Sequence, residues 1–174
     1  GAGKRVAVAL WSEGARERRS HVLADHGLAN LSNVASWPEV QALPKPQVAQ
    51  CVLAAFDDVV KAGQAVANII AAGIIPAGLE MMDKITTGAV EPFVKAGYPL
   101  DAAAILLCES DGIEVEVAEE IARMTAVMQQ SGATEIRVSR DEAERLRFWA
   151  GRKSAFPAAG RVSPDYYCMD GTIP

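Results

Sequence analysis

The stretch DAAAILLCESDGIEVEVAEEIARMTAVMQQSGATEIRVS, residues 101–139, decides the fold because it changes period twice within one short span. Asp101 to Ser110 is a short apolar run, apolar on both faces in its middle, which predicts a central strand. Asp111-Gly112 marks a turn. Val117, Ile121, Met124 and Met128 then recur at helical spacing, with Glu114, Glu116, Glu119, Glu120 and Arg123 on the opposite face. This is an amphipathic helix that stops at Gly132. ATEIRVS alternates, with Ile136 and Val138 on one face, as a half-buried strand does.

The residues before it repeat this rhythm. Gln47 to Phe56 reads as a strand. Asp57 and Asp58 offer an N-cap to a helix carrying Val59, Ala62, Val66, Ile69 and Ile70, which ends at Gly73. IPAGLEMMDK is a further strand, and Thr86 to Ala96 a shorter helix closed by Gly97 and Pro99. After residue 139, Ser139-Arg140-Asp141-Glu142 has capping-box spacing. The helix it opens starts near Arg140, passes through Leu146, Trp149 and Ala150, and frays near Pro157. The order β-α-β-(α)-β-α-β-α predicts an α+β fold with a ferredoxin-like antiparallel sheet and helices packed on one face. A flavodoxin-like parallel sheet is second, since no strand ends in a Gly-rich phosphate loop. Residues 1–41 do not share the rhythm; Ser12 to Leu31 could form one amphipathic helix.

Composition excludes several functions. Seventeen Lys and Arg against 22 Asp and Glu, a net charge of −5, argue against a nucleic-acid partner. The longest apolar run, Asn68 to Leu79, is too short to span a bilayer and is broken by Gly73, Pro76 and Gly78, so no transmembrane segment is expected. Three widely spaced cysteines and no leader pattern predict reduced thiols and a cytoplasmic setting.

Few residues carry a chemical signal. GAGK at the start does not meet the phosphate-loop pattern. His21 and His26 lack the spacing and the carboxylate partner of a metal site, so no metal is expected. Cys51 and Cys108 lie inside apolar strands, as small hydrophobes do. Glu80 and Asp83 alternate to solvent from an edge strand, and Glu109 begins an acidic turn. RFWAGRKSAFP, residues 147–157, is richer. Its cations suit a helix C-terminus. Trp149 and Arg152 share a face with Leu146, which puts Arg152 at the border of the core, where a guanidinium suits a planar two-oxygen anion.

LPKP, AAGIIPAGLEMMDK, AGYPLDAAAILLCESDG and SGATEIRVSRDEAERLRFWAGRKSAFPAAGRVSPDYYCMDGTIP together resemble the C-terminal cap domain of the FAD-linked oxidases, the family of the glycolate oxidase D subunit and D-lactate dehydrogenase-type flavoenzymes. The resemblance covers about residues 42–174, leaving 1–41 as an unmatched N-terminal segment. It implies an FAD-dependent oxidoreductase that oxidises a 2-hydroxy acid such as glycolate or D-lactate. Hydride passes to flavin N5, an FAD-binding domain holds most of the cofactor, and electrons leave to partner subunits or an acceptor. In the family's W-x-x-R element, here Trp149-Ala150-Gly151-Arg152, the arginine holds the substrate carboxylate, so Arg152 and Trp149 are the expected substrate contacts. Tyr166, Tyr167 and Asp170 follow toward the flavin. The family's FAD domain and its later histidine motif are not in this sequence. No catalytic residue is named, and the chain is expected to be a fragment that is inactive and flavin-free alone. The alternative is a stand-alone ferredoxin-like module that works by association as a homo-oligomer.

Overall fold

The computed structural model describes Pro38 and residues 48–163 and 165–169. They form four strands and four helices in the order β1 (Val48–Phe56), α1 (Val59–Ala71), β2 (Gly78–Asp83), α2 (Lys84–Val94), β3 (Ala104–Gly112), α3 (Glu114–Gln130), β4 (Glu135–Val138) and α4 (Glu142–Val162). The strands make one antiparallel sheet in the order β2-β3-β1-β4. Its two central strands pair along their whole length, from Val48↔Gly112 to Phe56↔Ala104. β3 is the run expected to be apolar on both faces and central, and β1, expected only as a strand, lies beside it in the middle of the sheet. The parallel arrangement is therefore overturned, and the ferredoxin-like antiparallel sheet stands.

Side chains alternate across a strand, so each central strand feeds two cores. On one face Val52, Ala54, Phe56, Ala104, Leu106 and Cys108 meet Ala62, Ala65 and Ile69 of α1 and the Val117, Ile121, Met124 and Met128 stripe of α3. On the other face Cys51, Leu53, Ala55, Ile105 and Leu107 meet Val90 of α2, Tyr98, and Phe148 and Ala158 of α4. Burying a side chain of this size contributes about 1.5–3 kcal/mol. The expectation of helices on one face is right for α1 and α3 and incomplete. The two helices that interrupt and follow the ferredoxin-like unit cover the other face, because Leu53, Ile105 and Leu107 leave it equally apolar.

Local signals set most boundaries. Asp58 caps α1, accepting from the Val60 N–H, and Gly73 supplies the left-handed residue just beyond its end, at φ 71°. The capping box of α4 lies elsewhere than expected. Asp141 is the N-cap, accepting from Glu144 N–H, and the Glu144 carboxylate reaches back to the Arg140 N–H. Ser139 is buried instead and its hydroxyl accepts from the Cys51 N–H, which ties the end of β4 to β1. Nor does α4 fray at Pro157. It continues to Val162, because the missing N–H costs one ladder bond while Ala158 is buried in the second core. The expected helix over Ser12 to Leu31, and His21 and His26, lie outside the described residues.

Candidate functional site

One face of α4 places Arg145, Trp149 and Arg152 at i, i+4 and i+7, over the rim of the sheet where β2 meets β3. The register puts Gly78 of β2 opposite Glu109 of β3, with Glu80 two residues on and therefore on the same face as Gly78. Gly78 has no side chain to lift the helix. The rim of the Trp149 indole sits over it, and a Cβ there would lie 3.1 Å from the ring. The indole N–H donates to Glu109 Oε2. The same oxygen accepts from Arg145 Nη1 at 2.7 Å, while the Nε and Nη2 edge of Arg145 is taken by both oxygens of Glu142. Arg145 thus serves two carboxylates, and the hydrogen bond it donates to Glu142, followed by that to Glu109, raises its pKa further.

Arg152 is held differently. Its Nε lies 3.0 Å from Glu80 Oε2, with the two side chains 40% and 39% exposed. Among the described residues no other hydrogen bond or ion pair reaches it. One edge of the fork faces Glu80, and the Nη pair is left to meet a second planar anion end-on. The border position expected for Arg152 is what the structure shows, although Leu146 turns out to be exposed and Phe148, Gly151 and Ala158 are the buried positions of α4.

A third element touches this helix from below. The buried Tyr98 hydroxyl donates to the Phe148 carbonyl at 2.6 Å and accepts from the Gly151 N–H at 2.9 Å. A side chain at position 151 would overlap the Tyr98 ring. Burial pushes the Tyr98 phenol up to about 12, so it remains a donor at any working pH.

Trp149 and Arg152, the substrate contacts expected from the sequence, lie on one face of α4, and beside them stand Glu80, Glu109, Arg145 and Tyr98, which were not among the expected contacts. Glu80 and Glu109 were read as solvent-facing or turn residues. The i, i+4 spacing of Arg145 and Trp149 was the available signal. Tyr166 and Tyr167 follow α4 and are exposed, with the Tyr166 hydroxyl 3.4 Å from the Phe156 carbonyl and no contact to Arg152. Asp170 lies outside the described residues. Cys51 and Cys108 are buried and in no disulfide, and burial drives the Cys51 pKa up. Among the described residues no cluster of His, Cys, Asp or Glu could hold a metal ion, and no helix is long and apolar enough to cross a membrane.

Free N–H groups at a helix start favour a diphosphate such as that of FAD, which the resemblance implies. Among the described helices Asp58, Asp83 and Asp141 each accept one such N–H of α1, α2 and α4, and α3 opens with Glu114 and Glu116. Each of these carboxylates would also repel a phosphate.

Residues 45–174 match the family described as FAD linked oxidases, C-terminal domain. The glycolate oxidase subunit GlcD of Escherichia coli (strain K12) is 59% identical over 148 residues, 85% of this chain and 30% of that protein. GlcD of Bacillus subtilis (strain 168) is 34% identical over 135 residues, 78% of this chain and 29% of that protein. The chain thus spans about 30% of the length of the curated relatives it matches. Among solved structures an alkyldihydroxyacetonephosphate synthase shares the fold, with a TM-score of 0.51 and 13% identity over 68% of this chain and 24% of that one.

Proposed function

The chain belongs to the FAD-linked oxidase C-terminal domain family, and on that premise we propose that it is the substrate-side cap of an FAD-dependent oxidoreductase acting on a 2-hydroxy acid of the glycolate or D-lactate type. An FAD held by another domain would supply the hydride acceptor when bound, and this chain's part would be to hold the substrate carboxylate at Arg152. The observation that carries this reading is Arg152, a half-exposed guanidinium with one edge paired to Glu80 and its Nη pair open. Trp149, fixed by Glu109 and seated on Gly78, forms an apolar wall one helical turn away. Such a pairing suits a short carboxylate with a small carbon skeleton. Tyr166, Tyr167 and Asp170 are assigned to the flavin side.

The test exchanges the aligned segment of E. coli GlcD for this one in the flavin-loaded enzyme, an exchange that 59% identity favours. Arg152→Lys should raise the glycolate KM and lower kcat/KM by about tenfold or more, because a point ammonium cannot replace a fork. An unchanged kcat/KM removes the carboxylate role. The purified chain alone should be colourless; stoichiometric bound flavin would show that the cap holds FAD itself.

A further inference from the structure

We infer that Tyr98 is a positioning residue for Arg152, acting through the backbone of α4. The inference rests on the carboxylate reading of Arg152 above. The Tyr98 hydroxyl spans a single turn, from the Phe148 carbonyl to the Gly151 N–H, and that turn contains Trp149 and leads into Arg152. A helix turn ordinarily satisfies these backbone groups itself. Here a phenol from 50 residues away adds a partner to each of two of them, which ties the turn that carries Trp149 and leads into Arg152 to the position of Tyr98.

Tyr98 itself is held at three points. The Glu91 carboxylate accepts the Gly97 N–H at 2.8 Å through one oxygen and the Tyr98 N–H at 3.3 Å through the other. Arg137 Nη2 on β4 donates to the Gly97 carbonyl at 2.6 Å, and its guanidinium lies 5.5 Å from the centre of the Phe148 ring. Lys95 and Gly97 take left-handed backbone, at φ 49° and 78°, which makes the tight return from α2 that brings the tyrosine inward. Gly151 completes the device, since only a residue without Cβ admits the ring and hydroxyl so close to the helix. Gly151 makes room for the ring and the hydroxyl alike, but a side chain serving only to fill the core would not need the two backbone bonds. A phenylalanine would occupy the same volume.

The experiment is a double-mutant cycle in the flavin-loaded exchange enzyme, with Tyr98→Phe, Arg152→Lys and the pair, reading glycolate KM, kcat and the melting temperature. Tyr98→Phe should raise KM by about fivefold with a smaller change in kcat, and add little once Arg152 is already Lys, because residues acting through one contact are non-additive. Glycolate titration of the flavin-free chain, followed at the Trp149 indole N–H resonance, should show the same loss of affinity without turnover. If Tyr98→Phe lowers the melting temperature and leaves KM unchanged while Arg152→Lys raises it, Tyr98 is a core residue only and the inference falls alone. If Arg152→Lys leaves KM unchanged, the carboxylate reading falls first. Should Tyr98→Phe not fold, Glu91→Gln keeps the ring and loosens its loop; it should raise KM in the same direction by about twofold, and an unchanged KM there overturns the inference.

Discussion

The two faces of the sheet are made from alternate residues of the same two strands, yet they are built for different work. The face under α1 and α3 is the drier: Phe56, Leu106, Ile69, Met124 and Met128 fill its centre, with the buried Ser110 hydroxyl donating to the Glu120 carboxylate of α3 beside them. The face under α2 and α4 has an apolar centre of similar kind but admits the Tyr98 hydroxyl at its core and Glu109, Arg145 and Trp149 at its rim. Stability can be concentrated on one side while the other holds polar groups in fixed places at some cost. A sheet covered on both faces lets a chain this short do both.

The sharpest way to break that contrast is Phe56→Ala, at a fully buried position of the drier face. It should cost about 3–5 kcal/mol in urea unfolding, with glycolate KM in the loaded enzyme unchanged. A parallel shift in KM would mean the faces are not independent. Glu109→Gln comes next, at the rim of the other face. It removes the charge that Arg145 and the indole share and should cost about 1–3 kcal/mol, with the Trp149 indole resonance moving. No change in either would mean that water screens the pair. The smallest effect lies at the start of α4. The hydrogen bond from Arg140 holds Glu144 at about 2, below its ordinary 4.5. A depressed carboxylate stabilises the fold above the unfolded value, so this contribution is complete above about pH 4.5 and fades as pH falls toward about 2. The melting temperature should decline over that window, and Glu144→Gln should remove part of the decline; a curve identical in the variant would leave Glu144 without a role in it.

The drier face was almost wholly legible in the sequence, and the site face only in part. The α3 stripe could be named residue by residue because four apolar side chains repeat at helical spacing within one segment. The α4 face offers no such stripe, since two of its three buried residues, Gly151 and Ala158, are too small to announce burial. Its defining contacts cross 36, 40 and 50 residues, from Arg145 and Trp149 to Glu109 and from Tyr98 to Phe148. Local periodicity carries no information about which carboxylate lies at the far end of such a contact. Arg152 was placed at the core border by helix phase alone. What it faces there, Glu80, depends on β2 pairing with β3 in one register, and a short strand interrupted by Gly78 does not announce its register.

The strand order also sets how this chain must fold. Among the described residues no two neighbouring strands are joined by a tight hairpin: the shortest connection between paired strands, Asp83 to Ala104, already encloses α2. β1 is made first and sits in the middle, yet both its partners come later, β3 after α2 and β4 after α3. Its apolar side chains must wait until those strands are made, with α1 the first of the described elements able to shield them. Such non-local pairing belongs to the slower range of small-domain folding, about milliseconds to seconds. During that interval β1 is the segment most open to pairing with another chain, so its exposure time, rather than the stability of the finished sheet, governs how cleanly this protein is made.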